Sequence, residues 1–147
     1  VALACDLRVA ARDAKFGLNF TQLGIHPGMG SSWTLPRLVG PVHAADLLLT
    51  GRSIDGAEAE RIGLVNRSVA RDEVVAKALE MAEAIARCAP IAVRGTKQSL
   101  HRSMADAPLD AQLEFEAEQQ AICYESADFA EGLRAIREKR APRFEGR

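Results

Sequence analysis

The sequence predicts an α/β protein: a short α/β layer cut off at its start, followed by about four helices. Three observations carry this. Residues 1–70 contain brief segments of alternating polar and apolar residues separated by glycine-rich turns, as short strands do. From Arg71 onward glycine nearly disappears and long helical periodicity takes over. The chain has 147 residues, of which 48% are hydrophobic, about one domain's worth of core.

In chain order, Val1 to Cys5 is small and apolar and suits the end of a buried helix. The stretch from Asp6 to Ala11 alternates as a short strand, and Lys15 to Phe20 is a second extended segment. Leu23 to Gly30 carries three glycines and one proline in eight residues and is a loop. A helix starts near Met29 to Ser32, with Ser31 or Ser32 at its N-terminus, and must end or kink close to Pro36. Val42 to Thr50 is a helix stopped by Gly51. Asp55 to Ile62 is another, with Asp55 as N-cap, Glu58 completing a capping box and Gly63 just past its end. Leu64 to Val69 is a strand or an extended linker.

The second half reads as helices over 72–88, 90–104, 108–125 and 128–139. Val74, Val75, Ala78, Leu79, Ala82 and Ile85 repeat at helical spacing and make an apolar stripe. Pro90 and Pro108 fall where a first-turn proline is tolerated, because the missing N–H has no partner there anyway.

Charge excludes several functions. With 19 basic and 20 acidic residues the net charge is −1, which disfavours a general binder of nucleic acid or anionic membranes. Aromatic residues make up only 5%, too few for base-stacking platforms. Cys5, Cys88 and Cys123 lack metal-site spacing and read as reduced cytoplasmic thiols, and no metal site is expected. No apolar run approaches the roughly 20 residues that span a bilayer. The first residue lies inside an apolar segment with no initiator Met, signal peptide or polar cap before it, so the chain reads as the second part of something longer. Only the tail from Gly132 to Arg147 is lopsided, with 6 basic against 2 acidic residues.

Several blocks together resemble the crotonase superfamily, the enoyl-CoA hydratases, isomerases and their relatives. They are Ala4-Cys-Asp-Leu-Arg-Val-Ala, Ala14-Lys-Phe-Gly, Leu23-Gly-Ile-His-Pro-Gly-Met-Gly and Leu35-Pro-Arg-Leu-Val-Gly. The match continues through Leu49-Thr-Gly-Arg-Ser-Ile-Asp-Gly-Ala-Glu-Ala and Ile62-Gly-Leu-Val-Asn. It ends at Glu131-Gly-Leu-Arg-Ala-Ile-Arg-Glu-Lys-Arg-Ala-Pro-Arg-Phe, so that it covers essentially the whole chain. The resemblance implies a ββα spiral core, with residues 1–70 its later part, and a C-terminal helical region, 71–147, that builds homotrimers or hexamers. It implies an acyl-CoA thioester substrate, coenzyme A entering only as part of that substrate, and no other cofactor. It also implies an oxyanion hole of two backbone N–H groups that stabilises an enolate. It puts one of those groups, and the first hydratase glutamate, just before the position matching Val1.

The second hydratase glutamate falls at Phe20, which cannot shuttle a proton, and general acid–base help is worth about 10²–10⁴ in rate. A related family position that carries an acid or a nucleophilic aspartate falls at Gly28. His26 is the titratable side chain on the same loop. It reads either as a proton carrier, with an ordinary pKa near 6.5, or as a histidine bonded within the loop beside Pro27. Phe20, Ile25, Pro27 and Gly28 are expected to wall the acyl group. Near the C-terminus the resemblance puts Tyr124 and Lys139 against CoA, with Arg140 beside them. The competing reading is a solvated helix end whose cations suit the helix dipole. Asp6 reads as structural, Cys5 as a small buried hydrophobe and Trp33 as core. The leading function is then an enoyl-CoA hydratase/isomerase-type enzyme without the ordinary two-glutamate site. The alternative is a catalytically silent acyl-CoA-binding or assembly protein, and a weaker third is a helical oligomerisation module from Arg71 onward.

Overall fold

The computed structural model describes residues 2–105 and 107–147. It divides into two compact units, Val1–Glu80 and Met81–Arg147.

In the first unit, β1 (Val9–Ala11) runs parallel to β4 (Arg67–Val69), with Val9 opposite Arg67 and Ala11 opposite Val69. Such pairing needs a long crossover, and here everything from β2 to the second helix lies inside it. The two ends are clipped together. The Arg8 N–H donates to Asn66 Oδ1 at 2.8 Å, the Asn66 N–H to the Arg8 carbonyl at 2.8 Å, and the Arg12 N–H to the Val69 carbonyl at 2.8 Å. Inside the crossover, β2 (Lys15–Gly17) pairs antiparallel with β3 (Ser53–Asp55), Phe16 opposite Ile54. The core sits under these pairs and is made by Leu35, Val39, Ala44, Leu47, Ile54, Ala59, Leu64 and Val65.

Helix α1 (Ser31–Thr50) is broken at Gly40, with φ 75° and ψ 164°, and not at Pro36 as the sequence suggested. Pro36 forfeits one backbone donor but stays helical. Pro41 disfavours helical geometry in the residue before it, and that residue is a glycine, able to take a positive φ and let the chain restart. Gly51 ends α1 in the left-handed conformation, as expected. Helix α2 (Gly56–Arg61) is capped by Asp55, whose carboxylate accepts the Glu58 N–H at 2.8 Å. Only this half of the anticipated capping box forms, because the Glu58 carboxylate turns to Arg52.

Three local expectations are corrected. Val1 lies outside the described residues, and Ala2–Ala4 makes one 3₁₀ turn instead of the end of a buried helix. Leu3 alone packs on the core, so Cys5 is exposed, not a buried hydrophobe. Trp33 is 51% exposed and lies beneath the Arg37 guanidinium, 4.0 Å from the ring centroid, so it is not core.

Helix α3 (Val74–Ala86) follows a 3₁₀ turn at Arg71–Glu73, and Val75, Leu79 and Ile85 of its apolar stripe are exposed in the single chain. In the second unit, α4 (Pro90–Met104) begins on a first-turn proline and packs against α5 (Leu109–Tyr124), which starts after Pro108. Gly95 lies against Gln119. Helix α6 (Ala127–Glu138) is capped by Ser126, whose hydroxyl accepts the Phe129 N–H at 3.2 Å. The residues after α6 fold back on it. Asp128 accepts the N–H groups of Glu145 and Gly146 at 2.7 and 2.9 Å, and the Ala127 N–H donates to the Arg147 carbonyl at 2.8 Å.

Candidate functional site

A cavity of about 310 Å³ opens in the first unit between β2, the loop after it, α1 and β3. Phe16, Leu18, Leu35, Leu47, Ile54 and Leu64 give it an apolar floor, with Phe20, Gly28 and Met29 toward the loop. Phe20 is half-buried. Its carbonyl accepts the N–H groups of Leu23 and Ile25 at 3.0 and 3.1 Å, which fixes the ring at the start of a tight 3₁₀ turn. That turn is tied to the end of α1, where Thr21 Oγ1 donates to the Leu48 carbonyl at 3.1 Å and Gln22 Nε2 to the Thr50 carbonyl at 2.9 Å. At the other end of the loop, the Ser31 hydroxyl and N–H both donate to the Gly28 carbonyl, at 2.7 and 3.1 Å. Met29 and Gly30 are successive left-handed residues, with φ of 54° and 70°.

Two of the anticipated loop residues, Phe20 and Gly28, are thus brought into one cavity wall. Ile25, His26 and Pro27 lie on the same loop but are not among the residues lining the cavity. His26 is exposed, with Nδ1 2.7 Å from the Pro27 carbonyl oxygen. Because a carbonyl only accepts, Nδ1 carries the proton, and in the neutral ring Nε2 keeps its lone pair. The ring is thus bonded within the loop.

Arg52 is the only charged side chain among the described residues lining the cavity. Nothing in the sequence assigned it a role beyond its place in a family block. Its Nε and Nη2 donate to Asp46 Oδ2 at 2.8 and 2.6 Å, and its Nη1 and Nη2 to the two oxygens of Glu58 at 3.2 and 2.8 Å. Hydrogen bonds from Arg52 hold both carboxylates below the ordinary range, and the two acids hold the guanidinium further above its own. Its charge is therefore committed to tying α1 to α2 across β3. The cavity presents apolar surface and hydroxyls, and no carboxylate among its described lining residues.

Tyr124 and Lys139 belong to the second unit. Tyr124 is exposed and meets Phe129 edge-on, centroids 5.0 Å apart. Lys139 is exposed and caps α6 with φ 53° and ψ 43°. Arg140 is exposed and ion-paired within its own unit. Its guanidinium donates to Glu131, Nη1 to Oε1 at 2.6 Å and Nη2 to Oε2 at 3.1 Å, and its Nε to Glu138 Oε2 at 2.6 Å. Glu131, 7% exposed, also accepts from Arg134 and from the Arg143 N–H at 2.9 Å, and these donors, Arg140 first, hold its carboxyl well below the usual range. This clamp escaped the sequence reading, which counted the arginines without pairing them. Among the described residues no group of three or more His, Cys, Asp or Glu is placed to hold a metal ion, and no helix is long and apolar enough to cross a membrane.

Residues 1–147 match the family model described as enoyl-CoA hydratase/isomerase. A probable enoyl-CoA hydratase of Mycobacterium leprae is 42% identical over 144 residues, which are 98% of this chain and 56% of that protein. A short-chain-enoyl-CoA hydratase of Clostridium acetobutylicum is 40% identical over 140 residues, 95% of this chain and 53% of that protein. The crystal structure of an enoyl-CoA hydratase from Bacillus anthracis matches with a TM-score of 0.93 and 41% identity, covering 99% of this chain and 56% of that one. The chain spans about half the length of the curated relatives it matches.

Proposed function

The chain belongs to the enoyl-CoA hydratase/isomerase family, and on that premise we propose that its protein acts on an acyl-CoA thioester through an oxyanion-stabilised enolate without the ordinary pair of hydratase glutamates. The observation that carries this reading is the Phe20 ring in the cavity wall, where the family resemblance puts the second glutamate. Hydration needs a water delivered by one acid–base group and a proton by another, and an aromatic ring supplies neither. A one-acid reaction fits better. One group takes a proton from carbon to leave the enolate and returns it to a different carbon, so the double bond moves and nothing is added.

His26 is our candidate for that group, as the titratable side chain on the loop, its Nδ1 engaged with the Pro27 carbonyl oxygen. Ile25, Pro27 and Gly28 shape the loop beside the acyl chain, and the apolar floor excludes water from it. Tyr124 and Lys139 are assigned to the CoA portion, the lysine meeting phosphate as a point charge. Coenzyme A enters only as part of the substrate, with no separate cofactor.

In the whole protein we assign residues 1–70 to the later part of the spiral core and 71–147 to a helical region that builds a homotrimer or a dimer of trimers. The exposed Val75 and Leu79 on α3 and Leu109 and Leu113 on α5 support burial of that region by a further subunit. We place the protein in the cytoplasm, in keeping with three free cysteines. A catalytically silent acyl-CoA-binding or assembly protein is the second reading, supported by the same Phe20 ring at the second glutamate's position.

The test is an assay of the full-length protein on crotonyl-CoA and on a 3-enoyl-CoA, with Phe20→Glu beside it. We expect movement of the double bond with little hydration in the wild type. Robust wild-type hydration would overturn the reading. Binding without turnover of either thioester would favour the silent protein, and failure to bind any acyl-CoA would remove both.

A further inference from the structure

The turn after α6 is built against the preference of its residue. Lys139 takes the left-handed conformation, in which the Cβ of an L-residue crowds the neighbouring carbonyl and which helix ends usually give to glycine or asparagine. A glycine would make the same turn without strain. Such strain persists only where the surroundings over-determine it, and it gathers at functional positions.

The surroundings here converge on one carboxylate. Before the turn, the Lys139 and Arg140 N–H groups donate to the carbonyls of Ile136 and Ala135 at 3.2 and 3.1 Å. Beyond it, the Arg140 guanidinium is held by both oxygens of Glu131, and the Arg143 N–H donates to the same acid. Glu131 therefore grips the chain one and four residues past Lys139, from a position on α6 eight residues before it. The glutamate is nearly buried, while the Arg140 side chain keeps 34% of its surface exposed. The adjacent cation, Arg140, is exposed too but is committed to that grip, while Lys139 beside it is exposed at the turn.

We propose that Glu131 is a positioning residue for Lys139: through Arg140 and the Arg143 backbone it holds the chain in the left-handed turn that presents the lysine ammonium outward. This rests on the reading of Lys139 as a contact for a CoA phosphate. The lysine touches the ligand, and the glutamate acts only through it.

A double-mutant cycle separates the two ideas. Butyryl-CoA, a saturated thioester, is titrated into the full-length protein as wild type, Lys139→Gly, Glu131→Gln and the double variant, and thermal unfolding is followed in parallel. Lys139→Gly is expected to weaken binding about tenfold while Tm holds or rises, since glycine relieves the turn. Glu131→Gln is expected to weaken binding by a similar factor with a lower Tm, and to cost nothing further in the Lys139→Gly background, a coupling within the range for residues of one ion-pair network. Equal losses from Glu131→Gln in both backgrounds would make the glutamate merely structural and overturn the proposal. So would tighter binding in Glu131→Gln, which would mean that the freed Arg140 had become the phosphate contact. Unchanged binding in Lys139→Gly would remove the lysine contact itself, whatever the glutamate does. Should Glu131→Gln fail to fold, Arg140→Lys, which keeps the charge but loses the two-pronged grip, reads the same cycle.

Discussion

Gly56 and Ala11 are packed so closely that a side-chain carbon on Gly56 would fall 2.0 Å from the Ala11 carbonyl oxygen. The neighbour is backbone, at the last residue of β1, and it cannot rotate aside. Gly56→Ala must therefore push α2 away from the β1–β4 pair or unpair the strands. We expect a loss at the upper end of the about 1–3 kcal/mol that overpacking costs, or beyond it, read as a fall in the denaturation midpoint.

Gly95 gives the opposite outcome. A side-chain carbon there would meet Gln119 Oε1 at 2.9 Å, the far end of a flexible side chain that can swing away. The position lies inside α4, where glycine is about 0.5–1 kcal/mol worse than alanine. Gly95→Ala is expected to leave stability unchanged or to raise it by a few tenths of a kcal/mol, measured in the same denaturation series.

The acid limb of stability should carry the mark of Glu131. Its carboxyl is held below the ordinary value of 4.5 by Arg140, Arg134 and the Arg143 N–H. The folded state thus binds this proton more weakly than the unfolded state. The stabilisation is fully present above the unfolded pKa and is lost as pH falls below 4.5 toward the depressed folded value. Midpoints measured across that window should fall less steeply for Glu131→Gln than for the wild type. Equal slopes would remove the clamp's part in acid stability.

His26 should matter to turnover and little to folding. Its ring is exposed and bonded to the neighbouring Pro27 carbonyl. Replacement by alanine is expected to cost roughly 10²-fold or more in kcat with Tm close to that of the wild type, the size of a lost acid–base group. Unchanged kcat would leave the ring as a turn residue.

How much of this was legible in the sequence depended on whether the signal was local. Pro90 marked the start of α4 and Gly51 the stop of α1 because both act through their own backbone. The break in α1 was misplaced because Pro36 and Pro41 look alike until the glycine before the second is considered. Trp33 looked like core by residue type, yet its ring is half exposed under Arg37, a matter of which face of α1 meets β3 and α2. The Arg52 and Glu131 clamps were invisible, since each joins groups whose pairing depends on how elements meet. Phe20 was noticed only because the family blocks gave its position a meaning, and the cavity around it needed side chains from β2, α1 and β3 together.

The clip between Arg8 and Asn66, 58 residues apart, has a consequence for the order of assembly. Closing a loop of that length costs on the order of 3–4 kcal/mol in chain entropy before any strand pair rewards it. The antiparallel pair of β2 and β3 and both helices must therefore carry much of the ordering first, and β1 must wait for β4. During synthesis β1 leaves the ribosome long before its partner does, and its edge stays open meanwhile. Variants that weaken Asn66 or β4 should slow productive closure and lengthen that exposure, so their first symptom would be aggregation of nascent chains, ahead of any defect in a finished site.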